Sequence, residues 1–201
     1  MTKPNLFFST PVWTIQLSNY KSINEEMYTY IKNQKINDEI GINKSNVKGW
    51  HSRDFNLNDK ETQNFISYIS PSIEQVMIDM NWDREMQLVK INNMWAIINI
   101  GGSANLRHQH GNSTISGAYY VRAPKNCGDI VFYDPRPAPV FSHPNASSPN
   151  SLNAQVNGIT PKEGALVLFP SYLDHSVNEN LSNDERIVIS FNIRIQIKPK
   201  P

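Results

Sequence analysis

The amino-acid sequence predicts a mainly β protein in which N-terminal helices pack against a jelly roll. Up to about residue 86, apolar residues recur at helical spacing, whereas from Gln87 onward the period changes to two. The segments of period two are short, and clusters of Gly, Pro, Asn and Ser separate them, which is typical of an antiparallel sandwich or barrel. Because helices come first and the sheet follows, we expect helices that cover a jelly roll.

A chain of 201 residues suits one domain with a sizeable core. We therefore expect a single domain over residues 1–201, with a helical or mixed N-terminal part (1–86) and a jelly-roll core (87–197). One helix is expected from Ser22 to Lys35. A second begins near Asn58, a residue type favoured at the N-cap, and continues to Met80. Pro71 lies inside this second helix and should kink or split it.

The strands of the core follow from alternation of apolar and polar residues. They are expected at Gln87–Lys90, Met94–Ile100, Ile115–Val121, Asp129–Tyr133, Ala165–Phe169 and Arg186–Ile197. The last strand has two distinct faces, since Ile187, Ile189 and Phe191 share one side while Arg186 and Ser190 share the other. The polar side faces either bulk water or a wet interior that holds a ligand.

Composition argues against several classes of function. The formal net charge is +1, so no electrostatic case exists for nucleic acid or an anionic membrane, and neither is an expected partner. No apolar run approaches the ~20 residues that span a bilayer. Residues 1–20 lack the basic segment followed by an apolar segment that is typical of a signal peptide. Cys127 is the only cysteine, which precludes an internal disulfide and fits a reducing cytoplasm.

Three histidines and an arginine form the pattern that carries chemistry. In an extended segment His108 and His110 point to the same side, so both imidazoles can reach one ion. His175 follows an apolar strand that Pro170 ends, and Arg186, eleven residues later, can pair with a carboxylate. Each residue alone has a plainer interpretation, a loop histidine or a surface arginine. Together they describe a metal with a chelating acid beside it.

The sequence also resembles a known family, the 2-oxoglutarate- and Fe(II)-dependent oxygenases, in particular a branch found in marine bacteria and phages. The resemblance extends from about Gly49 to Ile195. The matching segments are residues 95–99 (WAIIN), 108–110 (HQH), 116–121 (SGAYYV), 128–136 (GDIVFYDPR), 168–171 (LFPS), His175 and 186–192 (RIVISFN). The resemblance implies a double-stranded β-helix, with Fe(II) and 2-oxoglutarate as cofactors and O2 as the oxidant. For a phage protein it implies the host cytoplasm as the location.

The resemblance also implies roles for particular residues. His108 matches the first metal ligand of the family, His175 the third, and Arg186 the anchor of the cosubstrate's distal carboxylate. Further cosubstrate contacts are expected from Tyr119 or Tyr120 and from Asn99, Ser190 and Asn192. The second ligand is a carboxylate in the family, and here His110 stands in its place. Three explanations remain open: three histidines, two histidines with water, or a distant carboxylate such as Asp134. We favour three histidines as the metal ligands.

The substrate is expected to be a small molecule or a protein side chain, hydroxylated at the expense of 2-oxoglutarate. Its contacts are expected from Trp95, from Asp134 and Arg136, and from the long irregular loop that follows them. Three other functions compete with this hypothesis. A cupin would carry a glutamate a few residues after His110, and none is present there. A zinc hydrolase with three histidine ligands leaves Arg186 without a role. In a non-catalytic jelly roll the histidines would be incidental.

Overall fold

The computed structural model describes residues 3–198, and Val140 without its side chain. This part of the chain contains eleven strands and three helices. In chain order they are β1 (Trp13–Gln16), α1 (Tyr20–Asn37), β2 (Asn46–Val47), β3 (Trp50–His51), α2 (Lys60–Asp79), β4 (Gln87–Asn99), β5 (Ala104–His108), β6 (Ile115–Arg122), β7 (Ile130–Tyr133), α3 (Ala138–Ser142), β8 (Val156–Ile159), β9 (Ala165–Pro170), β10 (His175–Val177) and β11 (Arg186–Ile197). Residues 1–2 and 199–201 of the expected domain lie outside the described residues.

The strands form two antiparallel sheets, which confirms the predicted fold class. The larger sheet has the order β1-β9-β6-β11-β4-β3, and the smaller has the order β2-β5-β10-β7-β8. Strand β11 lies at the centre of the larger sheet, where it pairs with β4 on one side and with β6 on the other. From β4 to β11 the chain crosses between the two sheets at every step except from β7 to β8, as in a double-stranded β-helix.

The two long helices cover the outer face of the larger sheet. Met27 and Ile31 of α1 and Phe65 and Ile69 of α2 have no exposed surface, and they pack with the face of β11 that carries Ile189. Helix α2 continues as one helix through Pro71, so the proline does not split it. Tertiary burial of one helical face thus outweighs the hydrogen bond that proline cannot donate.

A second apolar layer lies between the two sheets, and it decides which way β11 faces. Val188 packs there with Ala118 and Tyr120 of β6 and with Phe132 of β7. Because Arg186 lies on the same face as Val188, the polar face of β11 looks into the molecule rather than into bulk water. The interior alternative of the sequence analysis is therefore the correct one.

The N-terminal part is mixed, since β1, β2 and β3 join the edges of the two sheets beside the two helices. These strands have two to four residues, too few for a period of two to be recognised. The strands expected at Gln87–Lys90 and Met94–Ile100 form one strand, β4, with an irregularity in its pairing opposite Asn192. The N-cap of α2 is Asp59 rather than Asn58. No helix within residues 3–198 is both long and apolar enough to cross a membrane.

Candidate metal centre

A cavity of about 780 Å³ opens between the two sheets. Its walls come from both sheets, since Trp95 of β4 and Ser190 of β11 face His108 and His175 of the smaller sheet. The inner layer of a jelly roll is normally filled by side chains, so a space of this size is suited to a ligand.

The three histidines expected to hold a metal come together in this cavity. His108 ends β5 and His175 begins β10, and the two residues are direct partners in the antiparallel pairing of these strands. His110 follows β5, and its backbone N–H donates to the carbonyl of Ser171 at 2.9 Å. One nitrogen from each ring lies within 4.8 Å of the other two. Nitrogens this close together form a candidate site for one metal ion.

Two of the rings are oriented by the backbone. Nδ1 of His108 lies 2.7 Å from the carbonyl oxygen of Leu106, and Nδ1 of His175 lies 2.9 Å from that of Leu173. A carbonyl oxygen only accepts, so Nδ1 carries the proton in both rings and Nε2 keeps its lone pair. Such orientation by a hydrogen bond on the other ring nitrogen is typical of metal-binding histidines.

Burial also sets the charge of these rings. Loss of solvent lowers the pKa of His110 to about 3, with the neighbouring His175 and His108 adding to the effect, and lowers that of His175 to about 4. The pKa of His108 is lowered mainly by burial as well. All three imidazoles are therefore neutral near pH 7, the state in which they donate to a metal.

No described carboxylate joins the three rings. Asp174, next to His175 in the chain, points outward and accepts from Nε and Nη2 of Arg107 at 2.9 and 2.6 Å. Asp134, one of the open alternatives, is held by Arg136 at 3.0 and 2.8 Å. Within residues 3–198 the group is therefore three nitrogens, a donor set that suits iron and other borderline divalent metals.

Arg186 lies in the same cavity with only 1% of its surface exposed. Its Nη1 donates to the carbonyls of Cys127 and Gly128 at 2.6 and 3.0 Å. Burial lowers the pKa of Arg186, and within the described chain no acid pairs with it. A buried guanidinium that lacks an anionic partner fits the carboxylate of a bound acid.

The two tyrosines expected near the cosubstrate lie on opposite faces of β6. Tyr119 faces the helices, where its hydroxyl donates to Oδ1 of Asn24 at 2.6 Å and its ring packs against Phe65. Tyr120 faces the cavity beside Arg186, whose positive charge opposes the increase that burial causes in the pKa of Tyr120. Of the two tyrosines, Tyr120 lines the cavity and Tyr119 does not.

The remaining expected cosubstrate residues differ in position. Ser190 and Asn192 line the cavity, but they lie four and six residues beyond Arg186 on β11, roughly 13 and 20 Å away at ~3.3 Å per residue. Asn99 is fully buried behind Asn105, to whose side-chain oxygen it donates at 3.1 Å, and it is not part of the cavity wall. Asn99 nevertheless pairs directly with Arg186 across β4 and β11, whereas Ser190 and Asn192 lie further along the cavity, and the cosubstrate contacts expected of all three stay predictions.

The residues that are expected to contact the substrate also differ in position. Trp95 lines the cavity between His51 and His110, with its ring centroid 5.6 Å from the first and 5.7 Å from the second. Asp134 and Arg136 pair with each other outside the cavity wall. Their guanidinium and carboxylate groups satisfy one another, so the structure does not bring them to the histidines.

Two further residues of the wall, His51 and Asn93, were not among the expected site residues. His51, in the two-residue strand β3, stacks on Trp95 with an angle of 6° between the rings. Asn93 lies opposite Asn192 in the pairing of β4 with β11. The period of two in β4 places Asn93 on the same face as Trp95, which is the signal that would have found it. No comparable signal exists for β3.

Comparisons with known proteins agree with this geometry. Residues 93–192, about half of the chain, match the family described as "Putative 2OG-Fe(II) oxygenase". This segment includes the three histidines and Arg186. No curated protein matches the sequence.

Solved structures resemble the chain over nearly its whole length. A prolyl-4-hydroxylase from Pseudomonas putida is 10% identical, with a TM-score of 0.66 over 92% of this chain and 93% of that one. A prolyl hydroxylase from Trichoplax adhaerens is 15% identical, with a TM-score of 0.62 over 91% and 83%. HygX from Streptomyces hygroscopicus, solved with nickel and 2-oxoglutarate, is 8% identical, with a TM-score of 0.63 over 92% and 83%. At these identities the likeness shows a common fold. The family match and this fold together establish that the chain belongs to the 2-oxoglutarate- and Fe(II)-dependent oxygenases, whose cofactors are Fe(II) and 2-oxoglutarate.

Proposed function

We propose that this protein is a dioxygenase that couples the oxidative decarboxylation of 2-oxoglutarate to hydroxylation of a substrate. One observation carries the proposal: three neutral imidazoles share a cavity with a buried arginine that has no acid partner among the described residues. Binding of a metal together with 2-oxoglutarate requires both the histidines and the arginine, whereas a metal site without this cosubstrate requires only the histidines.

His108, His110 and His175 hold the iron as three nitrogen donors. Because His110 replaces the usual carboxylate, the protein contributes no negative charge to the ion, and the dianionic cosubstrate supplies the compensating charge. The hydrogen bonds from His108 and His175 to backbone carbonyls fix their rings before the metal binds, so little rotamer entropy remains to be lost.

Arg186 and Tyr120 hold the cosubstrate. The carbonyls of Cys127 and Gly128 engage only one nitrogen of Arg186, which leaves the other donors for a carboxylate. Burial keeps the Tyr120 hydroxyl protonated and able to donate to the same group. HygX, of the same fold, is a protein solved with 2-oxoglutarate bound, which supports this assignment.

When bound, the iron and 2-oxoglutarate supply oxidation of a C–H bond by O2, with succinate and CO2 as products. The protein orients the reactants and limits the access of water. The apolar side chains of Val188, Ala118 and Phe169, which line the cavity, exclude water from it. The substrate is a small molecule or a protein side chain. A cytoplasmic location, expected from the single cysteine, stays a prediction.

The test combines spectroscopy with an assay. The protein is loaded anaerobically with Fe(II) and titrated with 2-oxoglutarate, and a visible metal-to-ligand charge-transfer band is expected. Admission of O2 should then yield succinate. His108→Ala and His175→Ala should abolish both signals, whereas Arg136→Ala, outside the cavity, should preserve both.

Position 110 separates the explanations for the third ligand. Retained activity in His110→Asp together with loss in His110→Ala identifies a third ligand at this position. Full activity in His110→Ala supports two histidines with water instead. A zinc hydrolase would show neither the absorption band nor succinate, and this result would refute the proposed function.

A further inference from the structure

The cavity continues past the histidines to an end that lies away from Arg186. On this side Trp95 pairs with Ser190, and Asn93 pairs with Asn192, across strands β4 and β11. We call Asn93, Ser190 and Asn192 the polar wall, and all three residues line the cavity. Because the Trp95 ring lies 5.7 Å from the His110 ring, the polar wall begins beside the metal centre.

A buried network holds one member of the polar wall in place. Oδ1 of Asn192 accepts from the hydroxyl of Ser116 at 2.7 Å, and that hydroxyl lies 2.9 Å from the hydroxyl of Ser171. Nδ2 of Asn192 donates to Oδ1 of Asn93 at 3.1 Å. These bonds fix both amides, and they direct the NH2 group of Asn93 away from Asn192.

Three polar groups at this end have no partner within residues 3–198. The NH2 group of Asn93 and the hydroxyl of Ser190 form no hydrogen bond, although both side chains are half-buried. Nε1 of Trp95 is buried and also has no partner. Only Nε1 of Trp95 is a fully buried donor, whereas the NH2 group of Asn93 and the hydroxyl of Ser190 line the cavity and are free to bind polar atoms of a ligand.

The polar wall carries no charge. The charged described residues that line the cavity are Lys44, Arg53, Asp54, Arg107 and Arg186. Arg186 lies at the other end, Arg53 pairs with Asp38, and Arg107 pairs with Asp174. The other two are exposed and opposite in sign. A charged substrate group at the polar wall would therefore meet no buried counter-charge among the described residues.

We infer that the polar wall binds an uncharged, carbonyl-bearing group of the substrate, of which an amide is the simplest, and that Asn93 and Ser190 determine this specificity. The amide oxygen accepts from the NH2 group of Asn93, and the amide N–H donates to the Ser190 hydroxyl. The inference rests on the proposed function, because it assigns the substrate class of that same site.

Three probes of similar size and different charge test the inference: N-acetylglycinamide (neutral), N-acetylglycine (anionic) and glycinamide (cationic). Methyl glucoside serves as a neutral polyol. Each is titrated into the 15N-labelled protein, with and without Zn(II) and 2-oxoglutarate, and the indole signal of Trp95, assigned with Trp95→Phe, reports binding. We expect N-acetylglycinamide to bind at least tenfold more tightly than the other three.

Single substitutions test how much the polar wall contributes to binding of N-acetylglycinamide. Ser190→Ala and Asn93→Leu each remove one hydrogen bond of about 0.5–1.5 kcal/mol, so binding should weaken by roughly 2- to 13-fold. Asn93→Asp should shift the preference towards glycinamide. Ser70→Ala, on the exposed face of α2 and outside the cavity, should change the affinity by less than about twofold.

Several outcomes would overturn the inference: equal or tighter binding of N-acetylglycine, glycinamide or methyl glucoside, or affinities that the substitutions at Asn93 and Ser190 leave unchanged. The titration without metal keeps this result separate from the proposed function. If Fe(II) and 2-oxoglutarate bind and N-acetylglycinamide shows no preference, the substrate class is refuted while the dioxygenase remains. If no metal binds, the dioxygenase is refuted, and the metal-free titration still decides on the amide.

Discussion

Replacement of Arg186 by methionine should greatly weaken the affinity for 2-oxoglutarate while leaving the affinity for the metal nearly unchanged. Arg186 is 1% exposed, and its remaining donors can form two charge-assisted hydrogen bonds with one carboxylate. Such bonds contribute about 1.5–3 kcal/mol each. Their loss amounts to about 3–6 kcal/mol, or roughly 10²- to 10⁴-fold in Kd at 1.4 kcal/mol per factor of ten.

Anaerobic titration of the Fe(II)-loaded protein with 2-oxoglutarate, followed at the charge-transfer band, measures this effect. Arg194→Met is a matched control, because Arg194 lies eight residues further along the same strand and is exposed outside the cavity. Thermal unfolding checks that both variants are folded. A Kd within threefold of the wild-type value, or an equal loss in Arg194→Met, would refute the assignment of Arg186 as the anchor.

The other predictions concern the neighbours of this anchor and the state of the histidines. Tyr120→Phe should weaken 2-oxoglutarate binding by roughly fivefold. Tyr119→Phe should leave this affinity unchanged. It should lower the free energy of unfolding by about 1–3 kcal/mol, because the buried Asn24 loses its hydrogen-bond donor. Gly128→Ala should lower both stability and affinity, because Gly128 has φ +88° with a backbone carbonyl in the way of a Cβ and its own carbonyl holds the anchor. In urea unfolding of metal-free protein, the free energy of unfolding should fall from about pH 7 towards about pH 3, since the unfolded chain takes up a proton near pH 6.5 whereas folded His110 does so only near its pKa of about 3. A slope in His110→Asn equal to that of wild type would contradict this account.

Patterns of residue type along the sequence were sufficient for the fold class and for much of the metal centre. The change of period at Gln87 predicted helices before sheet, and the spacing of His108 and His110 predicted that their rings share a side. The strand that ends at Pro170 marked His175 as the residue that folds back to them. These features are local, because a period of two or 3.6 follows from backbone geometry within one element.

The tertiary structure alone decided which faces look inward. Strand β6 is buried on both sides, so no alternation of polar and apolar residues distinguishes Tyr119 from Tyr120. The position of α1 and α2 against one side of the larger sheet makes that distinction, and it also turns Arg186 and Ser190 towards the cavity. Alternation determines which residues of a strand share a face, but the side that becomes the interior depends on elements far away in the chain that pack against it.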